Sequence, residues 1–290
     1  MKSQEHYQFL SHYTDNSELC NQLNSLTKNN WGITVLHGGE VDYVPFSMMY
    51  NDTIVANVCV GRFDLVINGE QLSASMIQTV LTDEQHRNRG LIRQLFEPVQ
   101  KHIADSTGRT FFTASKDKVE FYAKFGYRSL PLVDHCVLTV PDYNGRRHSL
   151  RKVSYADLST RTKLDSVLAN RSPVSNQFGF VNRHWLFHWF CYYFHQDNLH
   201  YIDDLDVFLL LRVEDDGLVI LDIVAEQMPT FQQLQPYLPV TEETSIRTNF
   251  CPDRLAISYE KVISSEDRFF FDKSFPLPND CICLPDTQRG

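Results

Sequence analysis

The residues with the most chemical promise are Arg87, Asn88, Arg89 and Gly90. They follow an apolar, strand-like stretch that ends Val80-Leu81-Thr82, and they open a stretch of helical spacing that begins Leu91-Ile92-Arg93. A strand running through a basic, glycine-containing turn into a helix is a device for holding phosphate. The first backbone N–H groups of a helix have no partner inside it, and the helix dipole favours negative charge beside them. Gly90 lets the backbone approach an anion closely. Arg87, Arg89 and Arg93 can add charge-assisted bonds. The plain alternative is a strand-to-helix turn with no ligand. A second candidate is Tyr122, 32 residues after Gly90 in Val119-Glu120-Phe121-Tyr122-Ala123-Lys124-Phe125-Gly126-Tyr127. Its phenol is either a proton donor or one more core aromatic.

Other reactive residues form no comparable pattern. His184 and His188 stand four apart on a helix, but there is no H-E-x-x-H and no third ligand, so they read as packing or polar residues. Cys281-Ile282-Cys283 has no partner pair, and seven cysteines without a C-x-x-C fit free thiols in a reducing cytoplasm rather than a disulfide framework. No metal is expected. Ser115 reads as the cap of the helix that carries Tyr122.

Composition narrows the partners. The net charge of −9 over 290 residues argues against nucleic acid as a partner. The beginning of the sequence lacks the apolar core of a secretion signal. The longest apolar run, Trp185 to Phe194, is too short for a membrane span. These features predict a cytoplasmic protein with no nucleic-acid or membrane partner.

The elements that must position these residues follow from periodicity. Residues 3 to 30 have helical spacing in two pieces, broken at Asp15-Asn16-Ser17 with Ser17 as N-cap. Strands are expected at Tyr43–Met49, Ile54–Ile67 and Gln71–Thr82, the last two joined by the Asn68-Gly69 turn. A helix follows from Gly90 to Ser106, a strand at Thr110–Thr113, a helix at Lys116–Phe125 and a strand at Cys136–Val140. The turn-rich Pro141–Leu150 predicts a boundary, giving residues 1–142 and 143–290. The second part reads as a strand at Lys152–Tyr155, helices at Ala156–Asn170 and Asn182–Phe194, and a hairpin at Val207–Ala225. A short helix at Thr230–Tyr237 and strands at Ser245–Phe250 and Arg268–Asp272 follow. The helix at Asn182–Phe194 is apolar nearly all round and is expected to be buried. The fold class is α+β, and the second part roughly repeats the element order of the first without its Arg/Gly turn.

The ordered set of Val80-Leu81-Thr82, Arg87-x-x-Gly90-x-Ile92 and Phe121-Tyr122-x-x-x-Gly126-Tyr127 resembles the GNAT superfamily of acetyl-CoA-dependent N-acyltransferases, over roughly Val41 to Val140. The family's turn reads Q/R-x-x-G-x-G/A, so Ile92 departs from it, and Ser115 stands where asparagine is usual. The resemblance implies a mixed central sheet flanked by helices, with the second part as a degenerate copy. It implies that amides of Asn88, Arg89, Gly90, Leu91 and Ile92 hold the coenzyme A pyrophosphate. It implies that the edge of Val80, Leu81 and Thr82 pairs with the pantetheine arm, with Ser115 nearby. Tyr122 then serves as the acid that protonates the leaving thiolate. The implied activity is acetyl transfer to a primary amine of a small molecule or peptide by direct attack. The alternative is a CoA-binding regulatory protein without catalysis. The family's second domains often shape the acceptor cleft or form homo-oligomers. No general base stands out: the central strand offers Gln78 and Thr79, and His86, Asp42, Glu40 and the terminal carboxylate of Gly290 are weak candidates. Tyr43 and Phe46 are open between acceptor contacts and ordinary strand packing.

Overall fold

A computed structural model describes residues 6–36, 43–181, 184–239, 244–280 and 282–289. Glu40, Asp42, Cys281 and Gly290, named above, lie outside the described residues.

The N-terminal half opens with a short edge strand β1 (Gln8–Ser11) and helix α1 (Ser17–Trp31). The spacing of Tyr7, Leu10 and Tyr13 predicts a helix, but Gln8–Ser11 instead pair antiparallel with β2 (Tyr43–Tyr50). A run this short carries too little periodicity to separate strand from helix. The cap of α1 is Asn16, not Ser17, because its Oδ1 accepts from the amides of Glu18 at 3.1 Å and Leu19 at 3.2 Å. Strands β2, β3 (Thr53–Ile67) and β4 (Glu70–Thr82) form an antiparallel meander. The β3–β4 turn has Asn68 at φ 53° and Gly69 at φ 83°, the left-handed pair that a two-residue hairpin requires. Helix α2 (Leu91–Ser106) crosses to β5 (Thr110–Ser115), which lies parallel to β4. Leu91, Leu95, Phe96, Val99 and Ile103 of α2 pack on Val58, Val60 and Ile77 of the sheet. The Tyr122 segment is a 3-10 turn at residues 116–118 followed by α3 (Val119–Ala123), and it leads into β6 (Arg128–Leu138).

The second half adds β7 (Arg151–Lys152), α4 (Leu158–Leu168), β8 (Phe178–Phe180), α5 (His184–Phe194), β9 (Leu199–Ile202), β10 (Val207–Glu214), β11 (Gly217–Val224), α6 (Phe231–Leu234), β12 (Ser245–Thr248) and β13 (Tyr259–Phe271). The order β9-β10-β11, α6, β12 repeats β2-β3-β4, α2, β5, and β12 is parallel to β11 as β5 is to β4. Both halves belong to one sheet of order β1-β2-β3-β4-β5-β13-β6-β12-β11-β10-β9-β7, with β8 on β3. Strand β13 fits between β5 and β6, so the sheet runs across the position expected to separate the halves. Strand β13 is much longer than the expected Arg268–Asp272, because its polar, exposed first half hides a strand that is paired on β6. Among the described residues, no helix is long and apolar enough to cross a membrane.

Candidate active site

Strands β4 and β5 pair only at Ser75–Thr110 and Met76–Phe111. Beyond that point they part, and the gap is a cavity of about 540 Å³. That size lies within the range of small-molecule sites, roughly 300–1,000 Å³. One wall is the open edge of β4, with Ile77 to Val80; a second is β5 with Tyr122 behind it; the third is α5.

A buried polar chain shapes the β4 wall. Tyr13 Oη and Ser47 Oγ lie 2.7 Å apart, Ser47 Oγ donates to Asn57 Oδ1 at 2.8 Å, and Asn57 Nδ2 donates to the Thr79 carbonyl at 3.0 Å. Thr79 sits at φ 54°, where β4 slips register against Asn57–Cys59. A β-branched residue held at positive φ is strained, and here the buried chain holds it. The amide of Asp83 donates to Val55 on β3 at 2.8 Å. Strand alternation therefore directs the amides of Val80 and Thr82 away from β3, toward the cleft. Leu81 points the other way, into the core with Leu23 and Ile54.

The turn after β4 is built to leave amides available. Asn88 at φ 62° and Gly90 at φ 74° are both left-handed, and no side chain caps α2. Arg87 donates Nε to the Thr82 carbonyl at 3.2 Å, and Arg89 donates Nη1 to Tyr7 Oη at 3.1 Å and Nη2 to the Gln85 carbonyl at 3.1 Å. Both guanidinium groups thus brace the turn. Arg93 is exposed on the first turn of α2. Leu91 is buried, and Ile92 leans on the same core as Leu95 and Phe96. A β-branched residue at position 92 is therefore accommodated by packing.

Tyr122 lines the cavity, with its ring among Phe96, Phe112 and Phe270. Burial pushes its hydroxyl up from 10.0 to about 12, so it stays protonated at neutral pH. Ser115 also lines the cavity; it precedes the 3-10 turn but makes no capping bond, a departure from the expected helix cap.

Several residues at the site were not foreseen in these roles. Helix α5 is not buried all round; Trp185, Trp189, Phe190 and Phe194 form a wall of the cavity. The helix is anchored there by Trp189 Nε1, which donates to the Thr34 carbonyl at 2.9 Å, and by Trp185 edge-on to Tyr43 at 4.4 Å. Tyr43 therefore faces the cavity, whereas Phe46 belongs to the α2 core. Gln78 is 5 % exposed, it lies beside the Tyr43 hydroxyl, and its Oε1 has no partner among the described residues. The signal for this wall was the four aromatics at helical spacing, which a buried helix would equally show. Arg289, far away in sequence, completes the rim.

The charged residues among the described lining are Lys118 and Arg289, with no carboxylate or histidine. His86 instead hydrogen-bonds Tyr7 Oη through Nδ1 at 2.9 Å. His188 spends Nδ1 on Tyr155 Oη at 3.0 Å and Nε2 on Asp165 at 2.9 Å. Among the described residues no cluster of three or more His, Cys, Asp or Glu could hold a metal ion.

Comparison with known proteins matches this geometry to a family. Residues 43–130, which span β2 through α3, match the family model of the acetyltransferase (GNAT) domain. Residues 43–130 thus carry the signature of a GNAT acetyltransferase domain. Among solved structures, similar folds include a probable N-acyltransferase from Enterococcus faecalis (TM-score 0.58, 12% identity, 91% of this chain and 72% of that one). Eis1 from Mycobacterium abscessus (0.59, 14%, 91% and 72%) is another. A GCN5-related N-acetyltransferase from Kribbella flavida (0.53, 12%, 92% and 71%) is a third. At these identities the likeness is one of fold, and it extends over both halves. A search of curated proteins finds no match to the sequence.

Proposed function

We propose that this GNAT chain transfers the acetyl group of acetyl-CoA to an amine by direct attack at the β4–β5 cleft. The observation that carries this reading is the parting of β4 and β5 beyond Met76 and Phe111, which opens a cavity between a free strand edge and a buried tyrosine. The residues fit the donor. The uncapped start of α2, with the amides of Asn88 to Ile92, suits the pyrophosphate. The Val80 and Thr82 amides suit the pantetheine arm and the thioester oxygen, whose developing charge they would stabilise. Ser115 lies on the opposite wall. Tyr122, neutral up to about pH 12, holds a proton for the departing sulfur.

The second half we read as a degenerate copy of the first, because its element order and its parallel β11–β12 pair repeat those of β2 to β5. Cys20, Cys59 and Cys191 are free thiols, which fits a cytoplasmic setting.

A second reading, a CoA-binding regulatory protein, is favoured by the lack of a carboxylate or histidine among the described lining residues. Two measurements decide. Acetyl-CoA and CoA should raise the melting temperature; no shift removes the cofactor reading. Release of free thiol from acetyl-CoA on addition of an amine supports transfer, and a shift without thiol release across a broad amine panel supports the regulatory reading.

A further inference from the structure

We infer that the acceptor is a weakly basic aromatic amine that enters uncharged, its amino N–H donating to Gln78 Oε1. This inference rests on the acetyl-transfer reading and narrows its acceptor.

The described walls are a poor match to the commoner amines. An alkylamine with the basicity of lysine, pKa about 10.4, carries a positive charge at neutral pH, and only about one molecule in 2,500 is free base at pH 7. Such an ammonium would enter a cavity whose described charged lining is Lys118 and Arg289, both positive, with no carboxylate to pair it. Burying an unpaired charge is costly, and a like charge nearby adds to the cost. A polyamine would incur that cost more than once. Nor is there a described base on the lining to strip the proton from an ammonium.

What the walls offer is complementary to a neutral aromatic. Trp185, Trp189, Phe190 and Phe194 from α5 face the cleft, and Trp31, half exposed at 47 %, stands at its rim. Flat rings gain most from edge-to-face and offset contacts with such a wall. One polar atom is unmet: Gln78 Oε1 is buried, has no hydrogen-bond partner among the described residues, and belongs to a side chain that lines the cavity. A buried carbonyl without a donor is destabilising, and an amino N–H would satisfy it. The Tyr43 side chain lies beside that amide on the same wall. Gln78 is therefore a positioning residue. An amide cannot remove a proton at neutral pH, so the nitrogen must arrive with its lone pair free, as it does in an arylamine, where the ring draws the lone pair in and lowers basicity.

The step balances without a base among the described lining residues. The amine nitrogen forms a bond to the acetyl carbonyl carbon, and the carbon–sulfur bond breaks with its electron pair on sulfur. Sulfur takes a proton from the Tyr122 hydroxyl. The nitrogen, made strongly acidic by acylation, loses one proton to water, and Tyr122 regains one from water. The products are an N-aryl acetamide and a free thiol.

The test compares aniline and 4-substituted anilines with benzylamine, following thiol release from acetyl-CoA between pH 6 and 9. Aniline kcat/KM is expected to be flat with pH and more than about 100-fold above that of benzylamine at pH 7, the margin set by the free-base fraction. Equal or greater activity with benzylamine at pH 7 overturns the inference and leaves acetyl transfer standing. A CoA-induced thermal shift with no turnover of any aniline also overturns it. Absence of both the shift and turnover overturns the transfer reading as well. Gln78→Leu should raise the aniline KM about tenfold, one hydrogen bond's worth, with the CoA-induced shift unchanged. Gln78→Glu adds the missing carboxylate and should lower the aniline-to-benzylamine preference at least about tenfold. An unmoved KM and an unmoved preference remove Gln78 from the site.

Discussion

The two parallel crossovers of this chain begin alike and end differently. In the first half, α2 has 16 residues and starts at Gly90 with no side chain over its amides. In the second, α6 has 4 residues, and Thr230 with Gln233 forms a reciprocal capping box over its start. The capping box consumes donors that the first crossover leaves uncapped. The strands differ in the same sense. Strands β4 and β5 pair at two positions and separate, while β11 and β12 pair from Gly217–Ser245 to Ile220–Thr248, and Asn249 continues onto the Ile220 carbonyl. Where the second gap would open, Asp222 is fully buried, pairs with Arg171 and accepts from Thr287 Oγ1. Thr287 thus plugs the second gap while Arg289 edges the first. One topology can carry a site or a brace, depending on whether its strand edge and helix amides are left unspent.

The strongest way to break this contrast is at Asp222. Asp222→Ala strands the Arg171 guanidinium and should cost about 3–5 kcal/mol, lowering the melting temperature by roughly 10 °C. A near-unchanged melting curve would mean that the plug is not a brace. Gly90→Glu acts on the other crossover. A carboxylate set at the start of α2 on a φ 74° residue should weaken CoA binding roughly 100-fold or more, since like-charge contacts cost several kcal/mol. Calorimetric titration would read this, and undiminished affinity would move the pyrophosphate elsewhere.

Tyr122→Phe should cut kcat on the order of 100-fold and leave acetyl-CoA binding nearly unchanged. The same variant has a pH signature. The hydroxyl is raised in the folded chain from 10.0 to about 12, so the folded state keeps a proton that the unfolded state loses. Its contribution to stability is whole below pH 10 and disappears between pH 10 and 12. Tyr122→Phe should therefore lose less stability over that window, and an identical alkaline slope would argue against burial of the hydroxyl. The smallest effect is expected from Thr230→Ala, about 1 kcal/mol of stability from the lost cap, with CoA affinity untouched. A change in affinity would show that the second crossover still touches the ligand.

Much of the first crossover was legible in sequence, because local rules govern it. The Asn68-Gly69 turn, the 3.6-residue spacing of α2 and the Arg87–Gly90 start each depend on neighbours in the chain. What stayed hidden was set by distant partners. The strain at Thr79 depends on Asn57 and Ser47, and the α5 wall depends on Thr34 and Tyr43. An all-round aromatic helix carries no mark of which face will be left uncovered. The polar first half of β13 has little strand character of its own, and its partner β6 lies more than a hundred residues earlier in sequence.

That last pairing also bears on how the chain is made. Strand β5 acquires its second neighbour only when Asp267 to Phe271 have emerged, about 150 residues after Ser115. At roughly 5–20 residues per second, the nascent N-terminal half waits on the order of ten seconds with Phe111 and Phe112 on an open edge. Such a delay exposes a strand template to other chains, which is the condition for misassembly. The burden on chaperones during synthesis should therefore fall on the first half, and slowed translation of residues 116–267 should lower the soluble yield.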